Sequence, residues 1–136
     1  MNDAQMKRIL ETARTIASVG VSSNSEKASY FVVGYLQRQG YRIIPVNPTA
    51  SEVLGEKAYP DLPSIPDKVD VVQVFRPSED VPPIVDQAIQ IGARVVWMQE
   101  GISNEAAAAK ARAAGLDVVM DRCMRQTHRR LIGEVT

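Results

Sequence analysis

The sequence predicts an α/β protein, a parallel sheet with helices on both faces. Three observations predict it. Short runs rich in β-formers alternate with helical patterns along the whole chain. The first run, residues 15–20, has the apolar character expected of a strand covered on both faces. Near the start, Ala17-Ser18-Val19-Gly20-Val21-Ser22-Ser23-Asn24 reads as the end of a strand, a glycine turn and the approach to a helix.

Taken in order, residues 2–14 carry Met6, Ile9, Leu10 and Ala13 on one helical face, with Asn2 or Asp3 able to cap the start. Residues 15–20 form the first strand. A helix over 26–39 follows, striped by Ala28, Phe31, Val32, Tyr35 and Leu36 and ended by Gly40. Residues 41–46 form the second strand. Pro45 has no N–H, so it must occupy a slot without a ladder bond or lie late in the strand. Asn47-Pro48-Thr49 then turns the chain. Between 50 and 68 only Lys57-Ala58-Tyr59 reads as a short edge strand, and Pro60, Pro63 and Pro66 punctuate the rest. Asp70 to Phe75 is the clearest strand. Ser78 is expected to cap a helix striped by Val81, Ile84, Val85, Ala88 and Ile89, ending at Gly92. Residues 94–98 form a strand, and Ser103 or Asn104 caps an alanine-rich helix that stops at Gly115. Residues 117–121 and 123–132 read as a last strand and a last helix.

The length of 136 residues fits one domain spanning 1–136 with a real core. Net charge is zero, so no global field recruits nucleic acid or a membrane. No apolar run is long enough to span a bilayer, and the start of the chain is too charged for a signal peptide. A single cysteine, Cys123, leaves no internal disulfide and fits a reducing compartment. A soluble, cytoplasmic protein is the expectation.

In open parallel sheets ligands bind beyond the carboxyl ends of the strands. The expected rim is therefore 20–24, 47–49, 75–77, 98–101 and 121–123. Gly20 followed by a helix start suits an anion, because the first helical N–H groups lack internal partners and the helix dipole is positive there. The dinucleotide fingerprint G-x-G-x-x-G is not met by Gly20-Val21-Ser22-Ser23-Asn24-Ser25, and the second strand ends in Asn47-Pro48 without the acid that would hold a ribose diol. Both argue against ordinary NAD binding. A P-loop is excluded because no G-K-[ST] occurs. No paired carboxylates, metal-ligand cluster or nucleophile elbow appears, so no catalytic residue and no metal site are expected. Cys123 and His128, five apart on a helix, do not share a face well. The basic run Arg122, Arg125, Arg129, Arg130 reads first as a solvated helix face, with a homodimer contact or a ligand phosphate as alternatives.

Several segments together carry a family resemblance. They are Ser18-Val19-Gly20-Val21-Ser22 with Glu26-Lys27-Ala28-Ser29, then Tyr41 to Pro48, Glu52 to Tyr59, Val69 to Arg76, Val96-Trp97-Met98-Gln99, and Val118 to Cys123. In this order they resemble the bacterial single-domain CoA-binding proteins, which are similar to the CoA-binding domain of succinyl-CoA synthetase α subunits. The resemblance implies a Rossmann-like, doubly wound parallel sheet with strand order 3-2-1-4-5-6, the Lys57-to-Tyr59 strand being at the edge. It implies non-catalytic binding of coenzyme A or an acyl-CoA across the carboxyl edge. The diphosphate would lie on Gly20, Val21, Ser22, Ser23 and Asn24 and the helix start, with Lys27 as a cationic neighbour. Asn47, Pro48 and Thr49 would border the adenosine. Phe75, Arg76 and Pro77 would flank the ligand, and Met98, Gln99 and Glu100 would complete the far side. Two departures stand out. Thr49 replaces the basic residue that many relatives carry after Asn-Pro, and Gln126-Thr127-His128 lacks the acid often found before the histidine. The competing readings are a small NAD(P)-type nucleotide-dependent enzyme and a protein-interaction subunit regulated by a nucleotide.

Overall fold

In a computed structural model that describes residues 1–134, the chain begins with α1 (Asp3–Thr12), β1 (Thr15–Val19), α2 (Ala28–Arg38) and β2 (Arg42–Val46). A small hairpin of β3 (Glu52–Val53) and β4 (Glu56–Lys57) follows. Then come β5 (Val71–Val74), α3 (Val81–Gln90), β6 (Val95–Met98), α4 (Glu105–Ala113), β7 (Asp117–Val119) and α5 (Met124–Leu131). The five sheet strands are parallel and lie in the order β2-β1-β5-β6-β7. This is the expected doubly wound α/β sheet. Among the described residues no helix is long and apolar enough to cross a membrane.

The edge differs from expectation. Lys57 does not extend the sheet. Glu56–Lys57 pairs antiparallel with Glu52–Val53, and only Tyr59 meets the sheet, through one parallel bridge to Val46. The reason is visible at Pro45. Its carbonyl accepts from the Tyr59 N–H on the outer side of β2, so its missing N–H also faces outward, where no full ladder can form. An outer strand is thereby reduced to a single residue, and β2 closes the sheet.

Alternation along the strands divides the core in two. Ala17, Val19, Val72, Val74, Val96 and Met98 face α3 and α4, while Ile16, Val71, Val95 and Trp97 face α1, α2 and α5. Ser18, Gln73 and Gln99 fall on the second face by the same parity and are buried. They satisfy one another. Ser18 Oγ donates to Gln73 Oε1 at 2.8 Å, Gln73 Nε2 donates to Gln99 Oε1 at 3.1 Å, and the Met124 N–H donates to that same oxygen at 2.9 Å. A polar row thus crosses three strands and fixes the start of α5.

Helix ends follow local chemistry. Asn2 and Gln5 form a reciprocal capping box on α1, and Asn104 rather than Ser103 caps α4. Ser78 does not cap α3, because residues 78–80 form a 3-10 turn instead. Its hydroxyl accepts from the Ser103 N–H and its carbonyl from Asn104, tying that turn to the loop before α4.

His128 is buried on α5 between two tyrosines. Its Nδ1 shares a 2.8 Å hydrogen bond with the Tyr35 hydroxyl, and its ring meets Tyr35 and Tyr41 edge-on. Burial holds its pKa below the ordinary value. The folded state therefore binds the proton less readily than the unfolded chain. The stabilisation from this neutral ring is complete above about pH 6.5 and is lost as pH falls through the lowered folded value. The melting temperature is expected to fall between pH 7.5 and pH 5, and less so in His128→Gln. An equal fall in both proteins would refute the assignment. Asp70 acts lower. Its burial opposes ionisation, but the N–H groups of Arg14 and Thr15 and the charge of Arg94 outweigh that and keep its pKa below the usual value.

Candidate functional site

The loop after β1 carries the main geometric constraint. Gly20 has φ +88°, a left-handed conformation that L side chains rarely adopt. A Cβ at this position would lie 3.0 Å from Arg76 Cδ and 3.2 Å from Arg76 Cγ. The Gly20 N–H donates to the Val46 carbonyl, and the Phe75 N–H donates to the Val19 carbonyl. The ends of β1, β2 and β5 are thereby locked side by side, with Arg76 lying across the glycine.

The helix begins later than the sequence predicts. Ser22 Oγ accepts from the Asn24 N–H, Asn24 Oδ1 accepts from the Glu26 N–H, and the Lys27 N–H bonds the Asn24 carbonyl. These short polar side chains hold the backbone in turns and delay α2 to Ala28. Lys27 is consequently the residue before the helix rather than part of its first turn. The loop also consumes amides expected to face an anion, since the Ser22 N–H donates to Ser29 Oγ. The unpaired N–H groups of the helix start belong to Ala28 and Ser29.

Two clefts open at the carboxyl edge, on either side of the end of β5. The first, of about 610 Å³, is lined by Val19, Gly20, Val46, Asn47, Pro48, Thr49, Pro60, Asp61, Arg76, Asp80, Pro83, Ile84 and Gln87. The second, of about 430 Å³, is lined by Ala28, Ser29, Val32, Phe75, Gln99, Glu100, Ile102, Cys123, Arg125 and Gln126. Adjacent residues divide between them: Phe75 faces one and Arg76 the other, by strand parity.

The expected site residues separate accordingly. Gly20, Asn47, Pro48, Thr49 and Arg76 line the first cleft, and Phe75, Gln99 and Glu100 line the second. Val21 and Met98 are buried in the two cores. Ser22 is half-buried, Ser23, Asn24, Lys27 and Pro77 are exposed, and none of these five lines either cleft. Asn47 is largely occupied by the backbone. Its Oδ1 accepts from the N–H groups of Thr49 and Ala50 and from Thr49 Oγ1, and its Nδ2 donates to the Val21 carbonyl. It shapes the loop after β2 and offers no free acceptor for a ribose diol.

Sequence reasoning missed Pro60, Asp61, Asp80, Pro83, Ile84 and Gln87 on the first cleft and Gln126 on the second. No motif marks the former, which arrive through the Tyr59 bridge and the start of α3. Arg125 was singled out only within the basic run, read first as a solvated face with a homodimer contact or a ligand phosphate as alternatives, and the structure places it alone of that run on the second cleft. Within the first cleft Arg76 pairs with Asp80 at 2.9 Å, both side chains being about half exposed. Such a pair contributes less than about 1 kcal/mol and exchanges readily for a better anion. Cys123 lines the second cleft, whereas the His128 ring is held in the core by Tyr35, so the two do not meet as nucleophile and base. Among the described residues no cluster of three or more His, Cys, Asp or Glu is placed to hold a metal ion.

Comparison with known proteins places the fold among relatives. The chain is 40% identical over 125 residues to YneT of Bacillus subtilis, covering 92% of this chain and 93% of that protein. A solved structure of a protein from Pyrococcus horikoshii OT3 superposes with a TM-score of 0.95 at 43% identity, over 98% of this chain and 94% of that one. An ADP-forming acetate–CoA ligase II of Archaeoglobus fulgidus is 33% identical over 95 residues, which are 68% of this chain but only 14% of the ligase. The CoA binding domain family matches residues 14–129. The glycine turn, the Asn47-Pro48 loop and the strand-end clefts all lie within that span, and the chain belongs to the CoA-binding domain family.

Proposed function

We propose that this protein, a single domain over 1–136, binds coenzyme A or an acyl-CoA at the carboxyl edge of its sheet and performs no chemistry of its own. The observation that carries the reading is the left-handed Gly20 turn under Arg76, set between two clefts in a chain of this family. The adenosine end fits the first cleft, where Pro48, Pro60 and Pro83 offer apolar edges to a ring. The diphosphate crosses Gly20 and Arg76 towards the Ser22-to-Asn24 loop and the start of α2. The pantetheine arm continues past Phe75 and Gln99 in the second cleft. Both volumes lie within the usual range for small-molecule sites. The occupied Oδ1 of Asn47 weighs against NAD.

Calorimetric titration with CoA, 3′-dephospho-CoA and NAD tests this directly. Saturable binding of CoA is expected, with NAD at least tenfold weaker. Among the described residues lining the first cleft Arg76 is the sole cation, beside Asp61 and Asp80, and Thr49 adds no charge. Dephospho-CoA is therefore expected to bind within about threefold of CoA. NAD binding without CoA binding would overturn the proposal.

Asp80→Asn supplies a second check. Removing the carboxylate frees Arg76 for the diphosphate, and CoA affinity is expected to rise about twofold to fivefold, in line with the release of an exposed ion pair worth less than about 1 kcal/mol. Unchanged affinity would remove Arg76 from the binding site.

A further inference from the structure

Arg125 is anomalous. Its Nε is buried without a hydrogen-bond partner. Among the described residues its guanidinium makes no ion pair, although Glu100 lines the same cleft. The other contact that fixes it is the Tyr35 ring, 5.6 Å from the guanidinium carbon. An arginine stacked on an aromatic face is held in one plane and loses less freedom when it binds a planar group. An unsatisfied buried N–H costs stability, and native structures retain few of them. Ala28 and Ser29, the first residues of α2, whose N–H groups have no intrahelical partner, line the same cleft. Cys123 and Gln126 complete that wall.

Resting on the proposed function, we infer that the second cleft is an anion site, in which Arg125 holds a group with paired acidic oxygens, a carboxylate or a phosphate. A partner with two acidic oxygens matches the fork of the terminal guanidinium nitrogens, which make no ion pair among the described residues, better than a single-oxygen partner does. A carboxylate at the end of an acyl chain and a phosphate of CoA itself share this chemistry.

The test compares wild type, Arg125→Gln and Arg125→Lys against three ligands: free CoA, its butyryl thioester and its thioester with a four-carbon dicarboxylic acid. A loss of tenfold or more in Arg125→Gln is expected for the ligand that carries the anion, with partial retention in Arg125→Lys, which keeps the charge but not the fork. A loss confined to the dicarboxylic thioester assigns the anion to the acyl group. An equal loss on all three assigns it to a CoA phosphate. Both outcomes support an anion at Arg125. In parallel, the Nε–H resonance of Arg125 in the wild-type protein is followed during titration with malonate and with inorganic phosphate, which needs neither a variant nor CoA. A saturable shift is expected. Affinities within twofold across all variants, together with no shift, would overturn the inference. Wild type that binds no CoA species but still shows the shift would leave the anion site standing and remove the proposed function.

Discussion

Gln99→Leu is expected to lower stability by about 3 kcal/mol, through two buried donors left without an acceptor at roughly 1–3 kcal/mol each. Gln99 Oε1 is the shared acceptor of Gln73 Nε2 and the Met124 N–H, and all three groups are buried. Leucine fills similar space but accepts nothing. The loss appears in urea melts as a lower midpoint with little change in slope. The double variant Gln73→Leu, Gln99→Leu should cost less than the sum of its parts, because it removes one orphaned donor along with its acceptor. A loss under about 0.5 kcal/mol for the single variant would mean that the row is not structural. Since Gln99 also lines the second cleft, the same change is expected to loosen the start of α5 and the position of Arg125.

Gly20→Val is expected to abolish CoA binding at accessible concentrations and to lower stability by roughly 1–2 kcal/mol or more, the cost of the left-handed conformation for an L residue. The branched side chain would also meet Arg76, whose Cδ and Cγ pass within 3.0–3.2 Å of a Cβ there. Gly115→Ala is the control. Gly115 has φ +92°, and a Cβ added to it meets nothing within 4 Å. It should lose comparable stability while leaving CoA affinity intact. Equal loss of binding in both would reduce Gly20 to a general fold requirement. Retained binding in Gly20→Val would place the ligand elsewhere.

Much of this architecture can be read in the residues themselves. The alternation of β-former runs with stripes of period 3.6 set the strands and helices, and the apolar character of 15–20 implied cover on both faces. Gly20 was legible because a strand that stops at a glycine before a helix allows few backbone paths. Asn47 was legible as a departure from an acidic ribose site. Local hydrogen bonding hid the start of α2. Ser22 and Asn24 compete with the helix for the same amides, and propensity alone does not say which partner wins.

The chain by itself determined the fold class, the carboxyl-edge location of the clefts and the turn at Gly20, because these follow from side-chain periodicity and steric limits that act over a few residues. The tertiary structure alone decided three further matters. Tyr59 meets Val46 by one bridge, because Pro45 turns its missing donor outward. The rim divides into two clefts, because Phe75 and Arg76 leave β5 on opposite faces. Arg125 stands apart from Arg122, Arg129 and Arg130, because the packing of α5 against Tyr35 buries its Nε in the wall of a cleft. Each of these depends on groups distant in sequence meeting in space, and a pairing of that kind leaves no trace in local composition.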